Sequence, residues 1–148
     1  GYTGFGKPFL APGGPEFNLS HSGPFAVAAV RAGPPLPVGV DLETGIDAES
    51  AREVAPRILH PAEVEAWRAL PPELQVPVFR NFWIAKEALL KASGRGFSEE
   101  PPEIHLEFRG KDSRIVSLPL LFGDPEGWRV QLVEAPAPFP VTAVAGPL

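Results

Sequence analysis

The stretch from Phe79 to Phe97 constrains this chain most, because its residues are strong helix formers and Gly94 supplies a stop. At 100° per residue the apolar side chains cover most of the helix surface. We therefore expect a helix, starting near Leu74 or Pro77 and ending at Ser93, that is buried on most sides. The same stretch also carries three charged residues, Lys86, Glu87 and Lys91. A buried charge is costly without a partner, so each of these positions needs one.

Two of these charges, Glu87 and Lys91, are four residues apart and are therefore neighbours on the helix surface. They form either a surface ion pair on an amphipathic helix or an acid and a base presented together to a site. Lys86 falls inside the apolar part of the helix. For Lys86 we predict a structural ion pair and no catalytic role.

Length and composition exclude several classes of protein. With 148 residues, the chain is one domain, or one and a part. No apolar run is long enough to span a membrane, and a net charge of −5 argues against nucleic acid as a partner. The lack of cysteine excludes disulfides and fits a cytoplasmic protein. Because the chain begins with glycine and contains no methionine, we expect that Gly1 is not the natural start.

A β-hairpin is predicted near the start, with one strand from Phe17 into a turn at Gly23 and a second from Phe25 to Arg31. Ser20 and His21 lie where the first strand enters this turn. Hydroxyl, imidazole and backbone N–H groups suit phosphate oxygens, although a serine and a histidine are also common in ordinary turns.

The segment Val38 to Glu43 predicts a third strand in which Asp41 and Glu43 share a face. Their backbones are then about 7 Å apart, close enough for both carboxylates to reach one cation. Hard oxygen ligands without cysteine favour Mg²⁺ or Mn²⁺ over zinc. The alternative is a strand end with a solvated face.

Two helical pieces are predicted between Asp47, a candidate N-cap, and Leu70, with a break at His60 and Pro61. Glu63, near the start of the second piece, is favoured there by the helix dipole. After the central helix we predict four strands, at Glu103 to Phe108, Arg114 to Leu118, Trp128 to Glu134 and Val141 to Ala145, with a hairpin turn at Gly110 between the first two.

Five motifs occur in order: Gly-Lys-Pro, Asn-Leu-Ser-His-Ser, Gly-Val-Asp-Leu-Glu, His-Pro-Ala-Glu, and Trp-x-x-Lys-Glu-Ala-x-x-Lys followed by Gly-Arg-Gly-Phe. From Gly4 to Phe97 the chain thus resembles the 4′-phosphopantetheinyl transferases that modify carrier domains of peptide, polyketide and fatty acid synthases. The resemblance implies an α+β fold with an antiparallel sheet packed on a long buried helix, normally in two pseudo-symmetric halves. Residues 1–37 would close an N-terminal half that is mostly lacking, and residues 38–148 would form the C-terminal half.

The resemblance also implies roles for individual residues. It implies three Mg²⁺ ligands, Asp41, Glu43 and Glu87. It implies four contacts to coenzyme A, with Lys91, Ser20 and His21 on phosphates and Lys7 near the adenosine end. On local grounds alone, Lys7 is a solvated surface lysine held in a turn by Pro8. For the general base, Glu87 is the first candidate and Glu63 the second.

The activity implied is Mg²⁺-dependent transfer of 4′-phosphopantetheine from coenzyme A to a serine of an acyl or peptidyl carrier protein, with release of 3′,5′-adenosine bisphosphate. Self-association is expected if the chain is naturally short. If the front half is curtailed, we expect the isolated chain to bind coenzyme A weakly. Two alternatives stay open, a non-catalytic domain that docks carrier proteins and an unrelated Mg²⁺-dependent phosphohydrolase.

Overall fold

The computed structural model describes residues 1, 4, 10, 14–94, 100–110 and 112–148. Within these ranges the elements are β1 (Glu16–Ser22), β2 (Phe25–Arg31), β3 (Gly39–Leu42), α1 (Ala48–Ile58), α2 (Pro61–Arg68), α3 (Pro72–Ser93), β4 (His105–Arg109), β5 (Asp112–Ser117), β6 (Trp128–Val133) and β7 (Thr142–Pro147). The strands form three antiparallel sheets, β1-β2, β3-β7-β6 and β4-β5. The predicted α+β class, with antiparallel sheets packed against a long helix, is confirmed.

The long helix α3 is the central element of the core. It begins at Pro72, earlier than predicted, because Pro72 suits the first helical position and Pro77 is accommodated inside the helix. Pro77 has no N–H to donate to the carbonyl of Glu73, four residues earlier. Glu73 lies in the exposed first turn, so water can bind that carbonyl. The helix ends as predicted at Gly94, whose φ of 73° is left-handed and favours glycine.

The strand β3 lies directly against α3. Gly39 makes this close approach possible, since a Cβ added there would overlap the carbonyl oxygen of Ala88. Both β3 and the facing side of α3 are buried, including Val40, Ile84 and Leu89, which are fully inaccessible. This packing brings the end of β3 beside the last turns of α3.

The remaining elements follow the sequence pattern within a few residues. Asp47 caps α1 by accepting a hydrogen bond of 2.8 Å from the Ser50 N–H, and the four predicted C-terminal strands are present as β4 to β7. Among the described residues no helix is long and apolar enough to cross a membrane. The division of the chain at residues 37 and 38 stays a prediction.

Candidate functional site

The end of β3 carries two of the predicted carboxylates. All four residues of β3 are buried, and Asp41 is only 6% exposed. The alternative of a solvated strand end therefore does not apply to Asp41. Glu43 follows directly after the strand and is half-buried. A buried carboxylate needs compensating donors, and the neighbouring elements supply them.

The strand β1 supplies the first hydrogen-bond partners, because its alternate side chains point toward β3. Asn18 accepts a hydrogen bond from the Val40 N–H at 3.0 Å. Ser20 Oγ donates to Asp41 Oδ1 at 2.7 Å, and Ser22 Oγ donates to Glu43 Oε1 at 2.6 Å. We call this row of side-chain bonds the β1–β3 contact. It fixes the hairpin to the strand that carries both carboxylates.

The second donor to Asp41 is Lys91 from α3. Its Nζ lies 2.6 Å from Asp41 Oδ1 and also donates to the Val40 carbonyl at 3.3 Å. The Lys91 side chain is 30% exposed, so its ammonium group is still accessible. Lys91 thus has a partner from the strand in addition to its predicted neighbour on the helix, Glu87. The lysine faces a site and does not form part of a solvated helix surface.

Glu87 lies near Asp41 and Lys91. Burial raises its pKa, the negative charge of Asp41 raises that pKa further, and Lys91 lowers it in part. Glu87, Asp41, Glu43 and Lys91 line one open cavity of about 330 Å³. The other residues that line the cavity are Leu19, Ser20, His21, Leu42 and Trp83. The helix, the strand and the hairpin therefore meet at a single polar pocket.

The pKa of Glu43 is shifted in the direction opposite to that of Glu87. Partial burial raises its pKa, but hydrogen bonds from Ser22, Gly45 and Thr44 outweigh this and lower the pKa overall. Glu43 is therefore held as a carboxylate, whereas Glu87 binds a proton more readily than an ordinary glutamate does.

The donor set of this pocket suits a hard divalent cation. Three carboxylates line the cavity, and Asp41 and Glu87 repel each other enough to raise the pKa of Glu87, so a bound cation would relieve the repulsion. As they stand, however, the His, Asp and Glu side chains of the described ranges contain no group of three close enough to hold an ion. Asp41 Oδ1 is occupied by Lys91 and Ser20.

Glu63 does not lie at this pocket. Its carboxylate is 2.6 Å from Lys86 Nζ, and it accepts hydrogen bonds from the backbone N–H groups of His60 and Leu106 at 2.8 and 2.7 Å. Lys86 also donates to the carbonyls of Ile58 and Pro101. This arrangement gives Lys86 the predicted structural ion pair. Every donor around Glu63 is internal, and its role as the second candidate for the general base stays a prediction.

The predicted coenzyme A contacts lie in different places. His21 is exposed and lines the pocket. Ser20 also lines it, but its hydroxyl is bound to Asp41 and does not stand free for a phosphate. Lys7, with the rest of the Gly-Lys-Pro motif, lies outside the described residues.

Sequence reasoning missed Trp83, an aromatic wall of the pocket, because it is one of many apolar residues on a helix expected to be buried on most sides. It also left Ser22 without a role. The signal that could have found Ser22 is the alternation of strand side chains, since Ser20 and Ser22 share one face and match the spacing of Asp41 and Glu43.

Comparison of folds shows which structural class this arrangement belongs to. The chain is similar to the crystal structure of holo-ACP-synthase from Plasmodium yoelii, with a TM-score of 0.52 and 16% sequence identity. The match covers 76% of this chain and 93% of that one. The fold is therefore of the holo-ACP-synthase type.

Comparison of sequences identifies the family. Residues 37–144 match the model of the 4′-phosphopantetheinyl transferase superfamily, and the chain belongs to that superfamily. A 4′-phosphopantetheinyl transferase of Bacillus subtilis is 34% identical over 122 residues, 81% of this chain and 51% of that protein. The 4′-phosphopantetheinyl transferase HetI of Nostoc sp. is 38% identical over 102 residues, 66% of this chain and 42% of that protein. The matched part thus spans about half the length of these relatives.

Proposed function

We propose that this chain transfers 4′-phosphopantetheine from coenzyme A to a serine hydroxyl of an acyl or peptidyl carrier protein. The observation that supports this most directly is the single pocket lined by Asp41, Glu43, Glu87, Lys91 and His21. It combines acidic side chains for a cation with basic side chains for phosphate, as attack on a pyrophosphate requires.

In this proposal Asp41, Glu43 and Glu87 hold Mg²⁺, or Mn²⁺ in its place. When bound, the ion would draw negative charge from the pyrophosphate of coenzyme A. The carboxylates fix its position, and the acidic pair at the end of β3 is already held in place by Ser20 and Ser22.

Lys91 and His21 would bind the phosphates of coenzyme A. Lys91 reaches the pocket from α3 with an accessible ammonium group, so it can neutralise the charge that develops on the leaving group. In the reaction the serine oxygen forms a bond to the β-phosphorus of the coenzyme's pyrophosphate. The bond from that phosphorus to the bridging oxygen breaks, and 3′,5′-adenosine bisphosphate leaves.

Glu87 is the proposed acceptor of the serine proton. Its carboxylate lines the pocket in which the pyrophosphate would lie, and a carboxylate there can accept the proton of a hydroxyl directly or through one water. Glu63 is excluded from this role in our proposal, because its carboxylate is held by Lys86 and two backbone N–H groups.

The test is incorporation of a labelled coenzyme A into an apo carrier protein, with and without Mg²⁺. The matched control is a carrier in which the acceptor serine is replaced by alanine. We expect label on the wild-type carrier only, and only with the metal. Binding of the carrier without transfer would support the non-catalytic docking domain, and release of nucleotide without an acceptor would support the phosphohydrolase.

A further inference from the structure

A small cluster of hydrogen bonds surrounds Glu43 where β3 ends. Its Oε1 accepts from Ser22 Oγ at 2.6 Å, from the Thr44 N–H at 2.7 Å and from the Gly45 N–H at 2.8 Å. Three donors fill one carboxylate oxygen, which has two lone pairs. Any cation at Glu43 would therefore have to bind through Oε2.

Ser22 connects this cluster to the hairpin. Besides donating to Glu43, its Oγ accepts from the Thr44 N–H at 3.1 Å and lies 2.9 Å from the Thr44 hydroxyl. The chain turns immediately after Ser22, at Gly23, whose φ is 56°. A Cβ at Gly23 would come within 3.1 Å of Thr44 Oγ1, so the turn is packed closely on Thr44. The Ser22 hydroxyl thus holds both the side chain of Glu43 and the backbone that follows it.

We propose that Ser22 is a positioning residue for the cation site: it helps to hold the Glu43 carboxylate with Oε2 open to the cation and couples the orientation of Glu43 to the hairpin that carries His21. This inference rests on the proposed function, because it takes Glu43 as a ligand. Ser22 acts through Glu43 and contacts neither the cation nor the substrate.

Two consequences distinguish this role from one of structural support alone. Without the Ser22 hydroxyl, Glu43 is held only by the backbone donors of its own loop and can rotate, so the affinity for the cation falls. Loss of an outer partner of a metal ligand typically weakens metal binding by about 10–100-fold. In addition, His21 adjoins Ser22, so coenzyme A bound to the hairpin should strengthen cation binding in the wild type and do so less without the hydroxyl.

The experiment uses the full chain and measures Mn²⁺ affinity by electron paramagnetic resonance, with and without coenzyme A. The variants Ser22→Thr and Ser22→Val have the same branched shape and differ in the hydroxyl. We expect Ser22→Thr to bind Mn²⁺ like the wild type and Ser22→Val to bind about tenfold more weakly. Ser113→Ala is the control, because it removes a strand hydroxyl that donates to the Val130 carbonyl, away from the pocket.

The outcomes separate this inference from the proposed function. Equal Mn²⁺ affinities for Ser22→Thr and Ser22→Val would overturn the inference and leave the transferase proposal standing, and a lower melting temperature for Ser22→Val would then show a purely structural hydroxyl. A tenfold difference in a chain that transfers no phosphopantetheine would support the inference while the proposed function fails. If the wild type binds no Mn²⁺, both are overturned.

Discussion

Glu63 and Lys86 meet 2.6 Å apart in the interior, with side chains that are 1% and 0% exposed. The pair links the start of α2 to the middle of α3. Burial lowers the pKa of Lys86 to about 8, although Glu63 opposes that change. Every hydrogen-bond partner of the two charges is internal, so the pair belongs to the support of the helix and lies apart from the pocket.

Replacing Lys86 alone should therefore destabilise the fold. Lys86→Met leaves the Glu63 carboxylate buried without its counter-ion, and we expect a loss of about 3–5 kcal/mol in the free energy of unfolding. Glu63→Gln combined with Lys86→Met removes the orphan charge and should recover part of the loss. Urea denaturation of the three chains provides the measurement. Unchanged stability for Lys86→Met would contradict a buried ion pair.

Lys91→Ala should impair both coenzyme A binding and turnover, since the proposed phosphate contact acts in the ground state and in the transition state. A charge-assisted hydrogen bond contributes about 1.5–3 kcal/mol, which corresponds to roughly a 10–150-fold loss. The measurements are the Kd for coenzyme A and kcat/KM. Arg114→Ala is the control, because Arg114 forms an exposed ion pair with Glu107 at 3.8 Å. Wild-type kinetics for Lys91→Ala would instead indicate that Lys91 serves only as the partner of Asp41.

Glu87→Gln should abolish most of the transfer activity. The amide keeps the shape but cannot accept the serine proton, and loss of a general base typically costs about 10²–10⁴ in rate. Single-turnover transfer to a carrier protein measures this step. Glu65→Gln, on the exposed side of α2, serves as the control. If transfer by Glu87→Gln stays near the wild-type rate, another group accepts the proton.

Gly39→Ala should disturb the contact of β3 with α3. The added methyl group would overlap the Ala88 carbonyl and come within 2.5 Å of the Ala92 nitrogen, both of them helix backbone. We expect a loss of about 1–3 kcal/mol or more. In Gly127→Ala the new Cβ has no atom within 4 Å, so the change there should stay within about 0.5 kcal/mol. Thermal unfolding of both variants measures the difference in stability. Equal melting temperatures would contradict the close approach of β3 to α3 at Gly39.

Stability should fall on acidification through His60. Burial lowers its pKa from 6.5, nearby His105 and Lys86 lower it further, and Glu63 opposes them. The fold thus favours the neutral imidazole, whose Nδ1 accepts from the Ala62 N–H at 3.2 Å. The contribution of His60 is complete above pH 6.5 and is lost as the pH falls through the lower folded pKa.

The comparison for this prediction is His60→Asn, which keeps a capping side chain without a group that titrates in this range. The midpoint of urea unfolding should drop less steeply with acid in His60→Asn than in the wild type. Parallel curves would show that groups other than His60 cause the acid sensitivity.

Local pattern predicted much of the fold. The run of helix-forming residues and Gly94 predicted where α3 ends. The alternation of apolar and polar residues predicted the hairpin and the end of β3 to within about a residue. The start of α3 was wrong because several prolines compete for the first turn, and Pro77 looked like the start when it lies inside the helix. Which proline begins a helix depends on tertiary packing that a local window does not contain.

The candidate site was less accessible to sequence reasoning. The resemblance of the motifs predicted which residues belong to the candidate site. It did not predict which of these residues contact one another. Lys91, expected beside Glu87, also contacts Asp41, and Ser20, predicted to contact phosphate, bonds to the same carboxylate. Such contacts join elements far apart in the chain, so they depend on how β1 and α3 pack around β3.

The β1–β3 contact is made by side chains, whereas neighbours within a sheet are joined by backbone bonds that nearly any residue can supply. The attachment of the hairpin consequently depends on the side chains of Asn18, Ser20 and Ser22. Single codon changes at these positions could loosen or retune the hairpin while leaving each sheet intact. Mutational drift and directed evolution could therefore change the position of the hairpin beside the pocket without altering either sheet.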